Sequence, residues 1–219
     1  MLTLEEAGNH LLVFDTNTYS LFKKHIISGS PVSILKAGEK YKTWESVDTI
    51  LSACIENSIG RDGCLLGIGG GVVCDMTAFA ASIFMRGCGL ILVPTTLLAM
   101  VDASLGGKTG IDYSGYKNMA GTFYPAKEIR ICLRTLMTLP DTEYLSGLAE
   151  VIKHALLKDF DLLNLLEREK KRILNRDLEL LGELVARAIA VKGGIVEKDF
   201  FEHGVRAYLN FGHTFAHAL

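Results

Sequence analysis

The residues most able to carry chemistry are histidines and charged side chains in the last third of the chain. His213 and His217 lie one helical turn apart in NFGHTFAHAL, a spacing that lets two imidazoles bind one zinc ion together with a carboxylate from elsewhere. Upstream, SGLAEVIKHALL places Glu150 and Lys153 on a helical face separate from an apolar stripe. A buried carboxylate needs a cation or a metal ion as its partner. The pattern indicates a metal site; histidines that only pack or cap, and a surface Glu–Lys pair, are the alternatives for each motif alone.

A glycine-rich turn follows an apolar run in GIGGGVVCD, residues 67–75. Glycines let backbone N–H groups approach an anion closely, and the N-terminus of the following helix adds partial positive charge. The usual dinucleotide fingerprint requires glycine or alanine where Val72 stands, and the acidic residue about 20 positions later is missing. The turn therefore indicates a pyrophosphate site of an unusual kind, or a tight strand-to-helix turn without a ligand.

A second loop, VDASLGGKTGID, spans residues 101–112 and carries GKT. A nucleoside triphosphate loop requires glycine where Asp102 stands, so the pattern argues against that class of site. What remains is an acid and Lys108 on a glycine-rich loop, with Lys117 and Asn118 a few residues later. Ordinary surface lysines are the alternative.

The elements that must position these residues change in type along the chain. Apolar runs at 10–15, 31–35, 64–68 and 90–96 predict strands, and helical periodicity at 17–25, 44–59 and 72–85 predicts helices between them. Such alternation is typical of a parallel sheet covered on both faces. Beyond Pro140 only helical periodicity remains, at 141–158, 159–172, 176–198 and after 209. The predicted fold is an α/β domain with a parallel sheet over 1–139 followed by an α-helical domain over 140–219.

Composition excludes several classes of protein. The 219 residues are 49% hydrophobic with a net charge of −2, which argues against a nucleic-acid platform. No apolar run is long enough to cross a membrane, and the N-terminus lacks the pattern of a signal peptide. Five cysteines without CxxC spacing are typical of reduced thiols in a cytosolic protein.

Taken together, these motifs resemble the 3-dehydroquinate synthase family of the sugar-phosphate cyclase superfamily. The matching stretches, in family order, are GGGVVCDMTAFAA, FMRG, VPTTLLAMVDASLGGKTGID, YKNMAGTFY, TLP, GLAEVIKHAL and LNFGHTFAHA, and they span about residues 10 to 219. The resemblance implies a Rossmann-like N-terminal domain that binds NAD and a helical C-terminal domain that binds a metal ion, Zn²⁺ or Co²⁺.

The resemblance also implies a reaction. The seven-carbon keto sugar acid phosphate DAHP would be converted to 3-dehydroquinate with loss of phosphate, by transient oxidation, phosphate elimination, re-reduction, ring opening and aldol closure. A cytoplasmic homodimer that acts on a small molecule, with no nucleic-acid or membrane partner, is expected. Another sugar-phosphate cyclase, a metal-dependent polyol dehydrogenase and an inactive fragment are the alternatives.

Site residues follow from the resemblance position by position. Those implied for NAD are Asp15, Asn17, Glu39, Lys42, Gly70, Gly71, Val72, Asp75, Thr95, Thr96, Leu98, Asp102, Lys108, Lys117, Asn118, Thr138, Leu139 and Glu143. Those implied for substrate binding and catalysis are Arg86, Asp102, Lys108, Asn118, Lys153, Lys192, Arg206, Asn210 and His217.

For the metal ion the resemblance implies Glu150 and His213 and assigns His217 to the substrate, although spacing alone would put both histidines on the metal. The family's third ligand is a histidine beyond Leu219, and the first strand and turn are shortened here. The chain is therefore expected to be a piece of a longer enzyme, weakly active or inactive by itself.

Overall fold

The structure, a computed structural model, describes residues 9–212 and contains a five-stranded parallel sheet. Its strands are β1 (His10–Asp15), β2 (Val32–Leu35), β3 (Cys64–Gly69), β4 (Gly89–Pro94) and, after the hairpin strands β5 (Ile111–Tyr113) and β6 (Tyr116–Ala120), β7 (Glu128–Ile129). The sheet order is β2-β1-β3-β4-β7, and every neighbouring pair is parallel. Because β1 and β3 are central and apolar, they are buried on both faces.

Helices cover both faces of this sheet. They are α1 (Thr16–Phe22), α2 (Trp44–Glu56) and α3 (Gly71–Ile83). Successive side chains of a strand point to opposite faces, so Leu11 and Val13 pack in the cluster beneath α2 and α3, whereas Leu12 and Phe14 pack on the other face. The chain turns sharply from β1 into α1 because Asp15 and Thr18 form a reciprocal capping box.

The remaining helices form a second layer with its own apolar cluster. They are α4 (Asp141–Lys158), α5 (Phe160–Arg168), α6 (Lys170–Leu174) and α7 (Leu178–Val196). Their core includes Tyr144, Val151 and Leu181, and the hydroxyl of Tyr144 donates to the carbonyl oxygen of Ile173 at 2.7 Å. Leu97 belongs to the same cluster, so the loop after β4 packs against the helices. The boundary at residue 139 stays a prediction.

Several short segments were not predicted from the sequence. A π-helical turn spans Ala99–Ala103, and 3₁₀ turns span Lys23–His25, Glu39–Tyr41, Phe84–Arg86, Leu133–Thr138 and Val205–Asn210. The hairpin β5–β6 was also not predicted. The prediction of a parallel α/β sheet followed by helices is confirmed. Within residues 9–212, none of the helices has the length and apolarity that crossing a bilayer requires.

Candidate active site

The glycine turn lies between the carboxyl end of β3 and the first turn of α3. Gly70 is the N-cap of α3 and offers no side chain to the first helical turn, which leaves that turn's backbone N–H groups available to an anion. Packing here excludes side chains, because a Cβ on Gly69 would lie 2.6 Å from Val73 and a Cβ on Gly70 would lie 3.1 Å from Thr96. The sequence thus makes a bare helix N-terminus of the kind that binds phosphate groups.

A cavity of about 590 Å³, here called the glycine-turn cavity, opens along this turn. It is large enough for a small organic ligand. The predicted cofactor residues that line it are Asp15, Asn17, Glu39, Lys42, Gly70, Gly71, Val72, Asp75, Thr95, Thr96, Leu98, Thr138, Leu139 and Glu143. They come from distant parts of the sequence, and the fold brings them to one edge of the sheet. Lys117 does not line the cavity, but its Nζ lies 3.8 Å from the Glu39 carboxylate at the cavity wall.

A second cavity of about 620 Å³, here called the cationic cavity, adjoins the first. The residues predicted for cofactor or substrate binding that line it are Asp75, Asp102, Lys108, Asn118, Lys153, Lys192, Arg206 and Asn210. Asp75 lines both cavities, so one carboxylate marks their junction. Four basic side chains converge on the cationic cavity, which therefore suits a ligand with several negative charges.

Buried Lys42 holds the junction of the two cavities together. Its Nζ donates to the Asp75 carboxylate at 2.5 Å and to the side-chain oxygen of Asn118 at 2.6 Å. Burial raises the pKa of Asp75 to about 6, against the opposing effect of the Lys42 charge. Asn118 has a positive φ of 55°, a conformation that asparagine tolerates better than most residues. Lys42 therefore fixes the hairpin that carries Asn118 against the glycine turn.

Buried Lys192 and partly buried Asp102 form an ion pair in the lining of the cationic cavity. The Lys192 Nζ donates to both the carbonyl oxygen and the carboxylate of Asp102. Burial alone would raise the pKa of Asp102, but the ammonium group of Lys192 outweighs it and holds that pKa below its usual value. Burial lowers the pKa of Lys192 in turn. The π-helical turn Ala99–Ala103 and helix α7 are joined by this pair.

Helix α4 contributes Lys153 to the lining of the cationic cavity and carries Glu150 and His154 next to it. The Glu150 Oε1 lies 2.5 Å from the Lys153 Nζ and 3.1 Å from the His154 Nε2. All three side chains are buried, so the alternative of a surface Glu–Lys pair is wrong. Lys153 also donates to the carbonyl oxygen of Leu209 at 2.6 Å, which ties α4 to the segment after α7.

The surroundings of Glu150 fit a divalent cation. Asp102, Glu150 and His154 each present one ligand atom, and these atoms lie within 4.8 Å of one another. Neither ring nitrogen of His154 has a hydrogen-bond partner of suitable geometry, which is costly for buried polar atoms, whereas the Glu150 Oε1 is paired with the Lys153 ammonium at 2.5 Å. Imidazole and carboxylate are donors that Zn²⁺ and Co²⁺ accept. His154 was not predicted as a metal candidate, although its i,i+4 spacing from Glu150 was visible in the sequence. His213 and His217 lie outside the described residues.

Glu202 is a further cavity residue that the sequence analysis did not select. Its carboxylate pairs with the Lys108 Nζ and accepts a hydrogen bond from the Asn210 side chain at 2.9 Å. Apart from its proximity to Arg206 in the chain, nothing in the sequence distinguished Glu202 from other acidic residues.

Arg206 is 2% exposed, and burial lowers the pKa of its guanidinium.

Among the predicted substrate residues within 9–212, Arg86 is the one that lines neither cavity. It is exposed on the 3₁₀ turn Phe84–Arg86, where Met85 and Arg86 both have positive φ. Helix α3 starts at the glycine turn, and its 13 residues span about 20 Å. Arg86 lies at the far end of that helix and is therefore remote from the glycine turn.

Comparison with known proteins assigns this arrangement to a family. A family model described as 3-dehydroquinate synthase N-terminal matches residues 32–146, and one described as 3-dehydroquinate synthase C-terminal matches residues 147–219. The chain belongs to the 3-dehydroquinate synthase family. A 3-dehydroquinate synthase of Dictyoglomus thermophilum is 43% identical over 202 residues, which cover 92% of this chain and 57% of the relative. The chain therefore spans little more than half the length of that relative.

Solved structures of related cyclases show the same fold. A 2-epi-5-epi-valiolone synthase from Streptomyces hygroscopicus subsp. jinggangensis, with NAD⁺ and Zn²⁺ bound, matches with a TM-score of 0.89 and 30% identity and covers 95% of this chain and 61% of its own. A 2-deoxy-scyllo-inosose synthase complexed with carbaglucose-6-phosphate, NAD⁺ and Co²⁺ matches with a TM-score of 0.80 and 25% identity, over 95% of this chain and 59% of its own.

Proposed function

We propose that the protein is a 3-dehydroquinate synthase that converts DAHP to 3-dehydroquinate with loss of phosphate, using NAD and a divalent metal ion. The observation that carries the proposal is the junction of two cavities, one at a bare helix N-terminus and one lined by four basic side chains, with a buried carboxylate and imidazole beside them. Membership of the family supports the choice of reaction.

The glycine-turn cavity is proposed to hold NAD, which supplies reversible hydride transfer when bound. Gly70, Gly71 and Val72 would bind the pyrophosphate through backbone N–H groups at the start of α3. Asp15 and Glu39 also line this cavity and would bind hydroxyl groups of the adenosine half. Asp75 and Lys42 would border the reactive end, since they lie where the two cavities meet.

Glu150 is proposed as a metal ligand together with His213, and the cation, Zn²⁺ or Co²⁺, would acidify a bound hydroxyl group of the substrate. Asp102 and His154 lie within reach of the same ion. Because Lys153 and Lys192 flank these groups, the site combines a cation for the hydroxyl with ammonium groups for the acidic parts of the substrate.

The cationic cavity is proposed to bind the carboxylate and phosphate of DAHP. Lys108, Lys153, Lys192 and Arg206 supply the positive charge, and Asn118 and Asn210 supply hydrogen bonds. Glu202 holds Lys108 and Asn210 in place. Holding both ends of the substrate selects the conformer that closes the ring, which is the contribution that positioning makes to an intramolecular aldol step.

We also propose that the enzyme is a cytoplasmic homodimer. Sedimentation analysis would test the dimer.

Phosphate release from DAHP, measured together with the ultraviolet absorbance of NADH, tests the proposal in a chain extended to the length of its relatives, because these 219 residues match only 57% of the Dictyoglomus thermophilum relative and are expected to be weakly active by themselves. A dehydroquinate synthase releases phosphate in an NAD-dependent way without net NADH, whereas a polyol dehydrogenase accumulates NADH. Lys192→Met should abolish phosphate release, and the exposed Lys170→Met should leave it unchanged. NADH accumulation, or phosphate release that survives Lys192→Met, would refute the assignment.

A further inference from the structure

Three phenylalanine rings pack together beside the cationic cavity, and one of them, Phe123, lines it. Phe123 follows β6, whereas Phe200 and Phe201 follow α7. Their centroids are 5.7 Å apart for Phe123–Phe200, 5.3 Å for Phe123–Phe201 and 5.2 Å for Phe200–Phe201, in tilted and edge-to-face arrangements. These are favourable geometries for aromatic pairs. This group, the phenylalanine cluster, joins the loop after the hairpin to the segment after the last long helix.

The guanidinium of Arg206 contacts the ring of Phe123 and the backbone of Phe200. The Arg206 Cζ lies 5.8 Å from the centre of the Phe123 ring, within the range of a cation–π interaction. The Arg206 Nη1 donates to the carbonyl oxygen of Phe200. Because Arg206 is almost fully buried, these contacts limit where its charge can point.

The same rings support the glycine loop that precedes Lys108. A Cβ on Gly107 would lie 2.9 Å from the Phe200 ring, and a Cβ on Gly106 would lie 2.6 Å from the Arg206 guanidinium. Both glycines have positive φ, so the backbone can lie directly against these groups. Lys108 also forms an antiparallel bridge with Phe123. The phenylalanine cluster therefore touches the segments that carry two of the four cations of the cavity, Lys108 and Arg206.

We propose that the phenylalanine cluster sets the separation of the Lys108 and Arg206 side chains. This separation determines how tightly the cationic cavity binds a phosphorylated, anionic ligand. Phe123 and Phe200 are positioning residues in this arrangement, since they act through Arg206 and the Gly106–Gly107 turn. The inference rests on the proposed function only for the chemical class of the ligand.

Binding of inorganic phosphate, measured by calorimetry, tests this positioning role of the phenylalanine cluster. Phe123→Leu removes the ring face and should weaken phosphate binding about threefold to tenfold. Phe123→Tyr keeps the face and should bind within about twofold of wild type. NAD affinity should stay unchanged in both variants, because Phe123 does not line the glycine-turn cavity. In turnover with DAHP, Phe123→Leu should raise KM more than it lowers kcat.

Trp44→Leu is the matched control, since it removes an aromatic pair with Phe79 that lies outside both cavities. Equal phosphate affinity in Phe123→Leu and wild type would refute the positioning role of the phenylalanine cluster without affecting the proposed function. A parallel loss in Trp44→Leu or in NAD affinity would also refute this role, because the effect would then be general destabilisation. Absence of phosphate binding in wild type would overturn both proposals. If Phe123→Leu does not fold, Phe200→Leu provides the comparison, because it removes the ring that lies against Gly107.

Discussion

Gly147 in helix α4 provides the sharpest test of how the site is built. Glycine inside a helix normally costs about 1 kcal/mol relative to alanine, so Gly147→Ala would be expected to stabilise an isolated helix. In this structure, however, a Cβ at Gly147 would lie 2.6 Å from the Leu97 Cβ and 2.7 Å from the backbone nitrogen of Leu98. A main-chain atom cannot rotate away, so α4 and the loop after β4 would have to separate.

The expected magnitude follows from these two opposing terms. Overpacking a close contact costs about 1–3 kcal/mol, and the backbone contact favours the upper end of that range. Subtracting the helix-propensity gain of about 1 kcal/mol leaves a net loss of about 2 kcal/mol. Gly194→Ala in helix α7 is the matched control, because nothing lies within 4 Å of its Cβ position. It should gain about 1 kcal/mol, so the two variants should differ by about 3 kcal/mol.

Urea unfolding followed by circular dichroism measures this difference from the two midpoints and a shared slope. Because Gly147 lies one turn before Glu150, and the contacted loop leads to Asp102, a shift at Gly147 should also change the separation of these carboxylates. Cobalt affinity should therefore fall in Gly147→Ala and stay unchanged in Gly194→Ala. A Gly147→Ala protein as stable as wild type would refute the close packing of α4 against the loop after β4.

Three further predictions concern individual side chains. Asp159 caps α5 and binds Arg187 through two hydrogen bonds, so Asp159→Ala should cost about 1–2 kcal/mol at neutral pH. Arg187 holds the pKa of Asp159 below its usual value, so this loss should shrink as the pH falls below about 4; a loss that does not change with pH would contradict it. Lys192→Met leaves the partly buried Asp102 carboxylate without its ammonium partner and should cost about 1–3 kcal/mol at neutral pH in urea unfolding. Burial would then raise the pKa of Asp102, so the cost should diminish in acid; an equally stable variant would argue against the pair. His154→Leu should weaken cobalt binding about tenfold in a chelator competition, and unchanged affinity would show that the imidazole does not serve the metal site.

Strong periodicity determined much of the fold. The strand at His10–Asp15 and the helix at Asp141–Lys158 have the bounds that their apolar spacing predicted. Because β1 and β3 are buried on both faces, most of their positions accept only apolar side chains. Such continuous apolar runs can be recognised in the sequence alone. The hairpin β5–β6 was missed because its strands are short, and β6 is largely exposed and carries little alternation.

For the candidate site, the sequence identified many of the residues but not their contacts. Motif resemblance selected residues that line the glycine-turn and cationic cavities, because a glycine turn after a strand and a lysine on a loop keep their spacing in the sequence. Whether these groups are buried, and which of them meet, depended on packing between distant elements. The Lys42–Asp75 contact, the Glu202 bridge and the buried His154 all required tertiary structure.

Local spacing by itself determined which residue types recur on a helix or strand and where the glycine turn lies. Only the tertiary structure decided that Glu150 and His154 meet Asp102, and that Arg86 lies apart from both cavities. The physical reason is that burial and charge pairing arise between segments far apart in the chain, and no local pattern records the distance between them.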